Sequence, residues 1–405
     1  MTKGYSHFFN LAKAGLLLIV LFCTHGAGAQ NNHADTLDIV NWNLEFFGDT
    51  PAELPEEMSK TRALMNQMNA DIYALVEVVN KDSLASLVQS INGDYGYVIS
   101  PFGSFASGIS DPGWFSAQKL AFVYRKSMVK NVSGRALLQF GGNAYYNWSS
   151  GRYPYLVMAD VLGSDNSWQR MHFVILHAKA MSDNTSCNRR IAGAQELKDT
   201  LDQHFANDRL IILGDFNDDL DESICNSASQ SNYYNFVSDS TDANSYHSVT
   251  LPLSAAGISS IAGYPSFLDH VILSNEMAAY YVPNSARLLQ AEVNNWVLYY
   301  NQYVSDHFPV KTQYVVTGTS GITNREQPVF SIYPVPAGDR LSVSSGQQGD
   351  VYYRVLATDG RQLASGTIAN GNAAISLSSL TPGTYIIRLS AKGSGHWVSQ
   401  LLTKQ

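Results

Sequence analysis

Between residues 36 and 316 the chain repeatedly runs through a short apolar segment and halts on an acidic, amide or imidazole side chain. "DTLDIVNWNLEFF" carries Asn43 and Glu45, and "ADIYALVEVV" carries Glu77. "MHFVILHAK" reaches His177, and "RLIILGDFN" ends on Asp215 and Asn217. "SFLDHVILS" contains Asp269, and "VSDHFP" places Asp306 and His307 at the entry to "FPVKTQYVV". With "KLAFVYR" and "YLVMADVL" these are the lengths and compositions of buried strands. Helical patterns separate them: "PEEMSKTRALMNQMN", acidic in its first turn, and "RRIAGAQELKDTLDQHF", apolar at about every fourth position. Strands alternating with helices predict a layered, mixed α/β sandwich whose strand ends deliver polar residues to a rim. The stretches 97–117 and 221–265, rich in Gly, Ser, Pro and Tyr, read as long loops of the kind that carry function.

A single polar residue at a strand end is usually a cap or turn residue. Glu77 is harder to dismiss, because it interrupts an apolar run, where a carboxylate needs a partner or a metal. The set says more than its members. Carboxylates and an amide oxygen are hard ligands suited to Mg²⁺, Mn²⁺ or Ca²⁺. Two histidines with acidic partners supply an acid, a base or a charged donor near neutral pH. The mature chain has no zinc-type Cys/His spacing, no phosphate-binding Gly-rich loop with its Lys, and no Gly-x-Ser-x-Gly nucleophile elbow. The collected groups therefore favour metal-assisted hydrolysis of a phosphate ester.

The N-terminus addresses the chain for export. Lys3 and Lys13 precede the apolar run "AGLLLIVLFC", and "AGA" follows at 27–29, so residues 1–29 read as a signal peptide and the mature chain starts near Gln30. Phe22, where a lipid-anchored Cys23 would need a small residue, argues against an anchor. Cys187 and Cys225 are left, an even pair that permits one disulfide in an exported protein. Residues 30–327 hold 18 Lys and Arg against 31 Asp and Glu. So acidic a body does not coat nucleic acid by charge alone, but carboxylates gathered at a site can be offset by bound divalent cations. No other stretch is long and apolar enough to span a bilayer, no basic amphipathic helix is visible, and the chain is expected to act as a monomer without membrane insertion.

The series "NWNLE", "DIYALVEV", "GRYPY", "VILHAK", "LGDFND", "FLDHVILS" and "SDHFPV" resembles, in order, the endonuclease/exonuclease/phosphatase superfamily, which includes deoxyribonuclease I and sphingomyelinases. The resemblance implies a four-layer α/β sandwich, two mixed sheets flanked by helices, with one active site at the strand ends. It implies Asn43, Glu45, Glu77 and Asp306 at the metal site, Mg²⁺ first and Mn²⁺ or Ca²⁺ as substitutes. His307 would be the base or phosphate-contacting histidine, oriented by Asp269. Asp215 and Asn217 would position the attacking water and a phosphate oxygen, and His177 would serve as acid for the leaving oxygen. Arg152 would contact phosphate, as would Lys179 and Arg190. Asp218, Asp219 and Asp221 are expected to form a solvated acidic turn. The implied activity is that of a secreted phosphodiesterase, an endonuclease acting on extracellular DNA or RNA. A phosphatase, a phospholipid phosphodiesterase and a non-catalytic surface module are the alternatives.

After a linker at 317–327, residues 328–405 change character, with short alternating strands and Gly, Pro and Asn turns that predict a small all-β sandwich. "SIYPVPAGDRLSV", "YRVLATDGRQLASG" and "LSSLTPGTYIIRLSAKG" resemble the C-terminal type A sorting domain of the type IX secretion system, with Val335 where that pattern carries Asn. The resemblance implies export through that machinery to the medium or the cell surface.

Overall fold

The computed structural model describes residues 36–317 apart from 227 and 240–244, and residues 330–405 apart from 346–348, 358–360, 370–371 and 393–396. The expected signal peptide, and the expected linker after Thr317, lie outside the described residues. The chain divides into two compact units, Met1–Val316 and Thr317–Gln405.

The strands of the first unit are β1 (Leu37–Phe47), β2 (Ile72–Val78), β3 (Tyr95–Ile99), β4 (Lys119–Arg125), β5 (Val129–Ala136), β6 (Tyr155–Leu162), β7 (Trp168–His177), β8 (Leu210–Asp215), β9 (Tyr246–Ser248), β10 (Asp269–Ser274), β11 (Arg287–Leu288) and β12 (Val310–Tyr314). They build two six-stranded sheets, ordered β11-β12-β1-β2-β4-β3 and β5-β6-β7-β8-β10-β9. Both are mixed, since β1–β2 and β7–β8 run parallel while neighbours such as β2–β4 and β8–β10 run antiparallel. Alternation assigns each strand two faces. Ile39, Ala74, Phe122, Phe173, Leu213 and Val271 fill the space between the sheets. Trp42, Tyr73 and Leu75 face outward onto the helix Leu54–Met68 through Leu64, Met65 and Met68. Leu156, Val174 and Ile212 pack on the helix Asn184–His204 through Ala194, Leu197 and Leu201. The result is helix, sheet, sheet, helix: the four expected layers.

Two departures from regular pleating shape one end of the first sheet. The register of β1 on β2 shifts between Asn43 and Phe47, where Glu45 and Phe46 take positive φ of 43° and 60°. The register of β2 on β4 shifts between Leu75 and Val78, where Glu77 has φ 60°. Each shift slips the alternation by one residue, so Phe47 and Val78 rejoin the outward core. A bulge of this kind re-aims a side chain at some cost in backbone strain. In the second sheet Gly214 has φ 145°, and a Cβ there would lie 1.9 Å from the Leu176 carbonyl oxygen. No other residue lets β8 approach β7 so closely. Asn41 ties the sheets together, its Nδ2 donating to the Gly214 carbonyl at 2.9 Å.

The loops expected at 97–117 and 221–265 are more structured than the sequence suggests. They include the end of β3, a 3₁₀ turn at Pro112–Phe115, short helices at Tyr234–Val237 and Leu251–Ala255, and β9. A further helix, Lys81–Ser90, escaped the periodicity reading. Its signal was Asn80, whose Oδ1 accepts from the amides of Asp82 and Ser83 at 2.9 and 3.0 Å.

At the start of Leu54–Met68, Glu57 accepts from the Gly48 amide at 3.1 Å, and burial pushes its carboxyl from 4.5 up to about 7. The folded chain therefore holds a proton that the unfolded chain releases, and stability falls as pH rises through that interval. Glu57→Gln removes the dependence. Its thermal midpoint should rise relative to wild type at pH 8 but not at pH 4, and an equal offset at both pH values would contradict this.

In the second unit the strands named below pair antiparallel, and an isolated parallel bridge joins Ala337 to Lys404. The strands β13 (Phe330–Tyr333), β14 (Arg340–Ser345) and β17 (Asn372–Ser376) form one sheet. The strands β15 (Val351–Ala357), β16 (Gln362–Ile368), β18 (Gly383–Ala391) and β19 (Val398–Lys404) form the other. Leu341, Val343, Val355, Ile387 and Leu389 supply the core of the expected all-β sandwich.

Candidate active site

The bulges of β1 and β2, the ends of β7 and β8 and the start of β10 meet at one buried point. Asn43 donates from Nδ2 to Glu77 Oε1 and to Asp215 Oδ2, both at 3.1 Å. His177 Nε2 lies 3.5 Å from Glu77 Oε1 and 3.4 Å from Asp215 Oδ2. His307 Nε2 faces the same Asp215 oxygen from 3.9 Å. Behind it, His307 Nδ1 pairs with Asp269 Oδ2 at 2.7 Å. Asp269 is itself fixed by Ser260, whose hydroxyl donates to Oδ2 at 2.7 Å. Asp215 Oδ1 accepts from the Asn217 amide at 2.8 Å, a local turn that holds Asn217 at φ 51°. Asn tolerates that left-handed conformation, which accounts for the fourth letter of "GDFN".

Burial sets the two histidines apart. It drives His177 well below its ordinary value, helped by the nearby Arg152, His307 and Lys179 charges, so this ring is neutral. Burial also acts to lower His307, but the Asp269 carboxylate outweighs it and lifts the ring to about 10. Asp215 is raised to about 7, chiefly because its carboxylate is desolvated. One cationic and one neutral imidazole therefore flank a carboxylate that holds a proton easily, an arrangement characteristic of acid–base sites.

Glu45 and Asp306 sit at the exposed margin of the same cluster. The Asp306 amide donates to Glu45 Oε2 at 2.7 Å, and burial together with the Asp306 charge raises the Glu45 carboxyl. Among the described residues, Glu77, His177 and Asp215 form a potential ligand group whose donor atoms all lie within 4.8 Å of one another. It shares only Glu77 with the set expected from sequence; Asn43 touches it, while Glu45 and Asp306 stand at its edge. Among the described residues Glu77 is hydrogen-bonded by the uncharged amides of Asn43 and Gln118, and the nearby His177 is neutral. Carboxylates gathered in a buried site are what a divalent ion would neutralise, and the Glu77 and Asp215 oxygens suit Mg²⁺ or Mn²⁺. The residues present fit a divalent cation.

Three expected roles change. Arg152 is buried and turned inward, donating to the carbonyls of His177 and Ala178 at 3.0 and 2.8 Å, to Ser149 Oγ at 3.2 Å and to Gln118. Arg190 spends every N–H on protein: Asn232 Oδ1 at 2.8 Å, the Lys179 and Met181 carbonyls at 2.6 and 2.7 Å, and both sulfurs of the Cys187–Cys225 disulfide at 3.3 Å. It has no donor left for a phosphate. Asp218 and Asp219 are buried rather than solvated. Asp218 caps the amides of Ile224 and Asn232, both at 2.7 Å, and Asp219 caps the Phe267 amide at 2.7 Å. Lys179 stays half-exposed beside His177 and keeps its candidacy. His270, next to Asp269, is a buried neutral core histidine held between Thr250 Oγ1 and the Asp218 carbonyl, each at 3.1 Å.

Residues 40–307 match the model of the endonuclease/exonuclease/phosphatase family. The chain belongs to that family. It is accordingly a hydrolase of phosphoric esters that depends on a divalent metal. Residues 331–404 match a secretion-system C-terminal sorting domain, which marks this family member for export to the medium or the cell surface. Among solved structures, the human Nocturnin catalytic domain with bound sulfate is 18% identical, covering 70% of this chain and 95% of its own, with a TM-score of 0.49. A humanized TDP2 of D. rerio is 15% identical over 70% of this chain and 100% of its own, TM-score 0.47. An endonuclease/exonuclease/phosphatase protein from Beutenbergia cavernae is 14% identical over 91% of this chain and 99% of its own, TM-score 0.48. No curated protein matches. Within the described residues no helix is long and apolar enough to cross a membrane.

Sequence reasoning missed Gln118, Ser260 and Ser305. Gln118 stands at the head of "KLAFVYR", a polar residue at a strand end like the others, and the same rule would have found it. Ser305 donates to the Asn43 carbonyl at 2.7 Å and accepts from the His307 amide at 3.0 Å. Ser260 gives no sequence signal, because a loop far from any apolar run delivers it.

Proposed function

We propose that this hydrolase is an extracellular phosphodiesterase, an endonuclease that cleaves DNA or RNA with Mg²⁺ as the preferred cation. The observation that supports it best is the pair of buried imidazoles, His177 and His307, facing one carboxylate, Asp215, at 3.4 and 3.9 Å. Arg190 spends its donors on the protein, whereas Arg152 keeps one N–H and its charge beside the site, and the protonated His307 and the half-exposed Lys179 face a cluster of carboxylates. The resemblance of the two-histidine set to the deoxyribonuclease I branch supports nucleic acid as the diester.

In this reading Asp215 accepts the proton of the attacking water, and Asn217 holds an oxygen beside it. His307, charged and steadied by Asp269, donates its Nε2–H to a non-bridging phosphoryl oxygen, and the leaving oxygen takes its proton from solvent water. His177, kept neutral by burial, serves with Glu77 and Asn43 to hold the divalent ion rather than as the acid. When bound, that ion neutralises negative charge on the phosphoryl oxygens. The purified chain should cleave plasmid DNA or RNA, lose that activity in chelator and regain it with Mg²⁺. Hydrolysis confined to sphingomyelin or inositol phosphates would refute the nuclease reading, and chelator-resistant activity would refute the metal.

A further inference from the structure

Glu77 is a buried carboxylate on a bulge at φ 60°, so the regular pleat does not fix where its oxygens point. Gln118, just ahead of β4, does. Its Nε2 donates to Glu77 Oε2 at 2.7 Å, while its Oε1 accepts from Arg152. The orientation of the amide is not ambiguous: a guanidinium only donates and a carboxylate only accepts, so the carbonyl must face Arg152 and the NH₂ must face Glu77. Arg152 is in turn immobilised by the His177 and Ala178 carbonyls at 3.0 and 2.8 Å and by Ser149 at 3.2 Å. With one carboxylate oxygen held by Gln118, the other is directed at Asn43, 3.1 Å away, and at His177, 3.5 Å away.

We infer that Gln118, braced by Arg152, is a positioning residue of the divalent-cation site, holding the Glu77 carboxylate with Oε1 presented to the ion. An uncharged amide suits the task. It carries no charge that would compete with the ion for Glu77, whereas a Lys or Arg at 118 would neutralise the ligand directly. The inference rests on Glu77 as a cation ligand and not on the identity of the substrate.

The test is direct Mn²⁺ binding by titration calorimetry on the purified full chain, with activity measured in parallel. Gln118→Met keeps the length of the side chain and removes both hydrogen bonds. It should weaken Mn²⁺ binding ~10- to 100-fold, as loss of outer ligand support typically does. Its melting temperature in chelator should fall, because the buried Arg152 N–H and Glu77 Oε2 lose a partner, so Mn²⁺ binding is measured well below that midpoint, where kcat should recover at saturating Mn²⁺. Gln118→Asn keeps the amide but shortens its reach, should weaken Mn²⁺ binding in the same direction, and serves as the readout if the Met variant fails to fold. Wild-type Mn²⁺ affinity in both variants would overturn the inference. Glu77→Ala separates the two levels of the argument. If it abolishes Mn²⁺ binding while the Gln118 variants retain it, the positioning role alone fails; if it also leaves binding intact, Glu77 is no ligand and both readings fail.

Discussion

Asp215→Asn is expected to lower phosphodiesterase turnover ~10²-fold or more while the protein keeps its fold. The substitution is chosen for what it preserves. Asp215 Oδ1 accepts from the Asn217 amide at 2.8 Å and so builds the turn that holds Asn217 in place. An asparagine carbonyl at the same position can accept that bond. What it cannot do is take a proton, or set a negative charge before His307 at 3.9 Å and His177 at 3.4 Å. Burial holds the native carboxyl near 7, poised to receive and release a proton at ordinary pH, and no amide reproduces that. His307→Ala should lose activity on the same scale, because it removes the charged partner that Asp269 sustains at 2.7 Å. The double variant should be little worse than either single one, since the two groups serve one transition state as a unit. The measurement is kcat/KM on a purified nucleic-acid substrate alongside circular dichroism and a thermal midpoint. Near-normal turnover in Asp215→Asn would remove Asp215 from the chemistry.

How much of this was legible in the sequence follows from what periodicity can carry. An apolar run that stops on a polar residue reports a strand and its end. Asn43, Glu77, His177, Asp215, Asp269 and His307 were therefore visible as candidates, and order along the chain tied them to one family. The layers were legible for the same reason, since β1, β2, β4, β6, β7, β8 and β10 lie in apolar runs, and β12, "VKTQY", alternates buried and half-buried positions. β5 was not. Its sequence "VKNVSGRA" is half polar, and a bulge at Asn131, φ 52°, breaks its alternation. Direction was the second blind spot. Arg152 and Arg190 were recognisable as cations near the site, but only the fold shows that their donors turn back onto carbonyls. The acidic run after Asn217 misled in the opposite sense: Asp218 and Asp219 look solvated in sequence, yet the amides they cap belong to Ile224, Asn232 and Phe267, residues 6, 14 and 48 positions away. A pattern rule with a reach of a few residues has no access to such partners.

Arg190→Met should show that the buried guanidinium supports the fold rather than the substrate. Its N–H groups hold the Lys179 and Met181 carbonyls, Asn232 and the two disulfide sulfurs, joining the segment after β7, the helix Asn184–His204 and the loop after β8. Methionine fills much of the volume but strips the buried Asn232 Oδ1 and the part-buried Lys179 and Met181 carbonyls of their donor, a loss of ~1–3 kcal/mol at the usual cost of a stranded buried acceptor. The Cys187–Cys225 disulfide spans the same region with a sequence separation of 38. By loop-closure entropy its reduction should cost about 4 kcal/mol. Because Arg190 and the disulfide join the same segments, losing both should cost less than the sum, a coupling that thermal midpoints of wild type and variant with and without reductant would reveal. Well below those midpoints Arg190→Met should retain kcat/KM within a few-fold. A phosphate contact makes the opposite prediction, a raised KM at an unchanged midpoint, and that outcome would return Arg190 to the substrate side of the site.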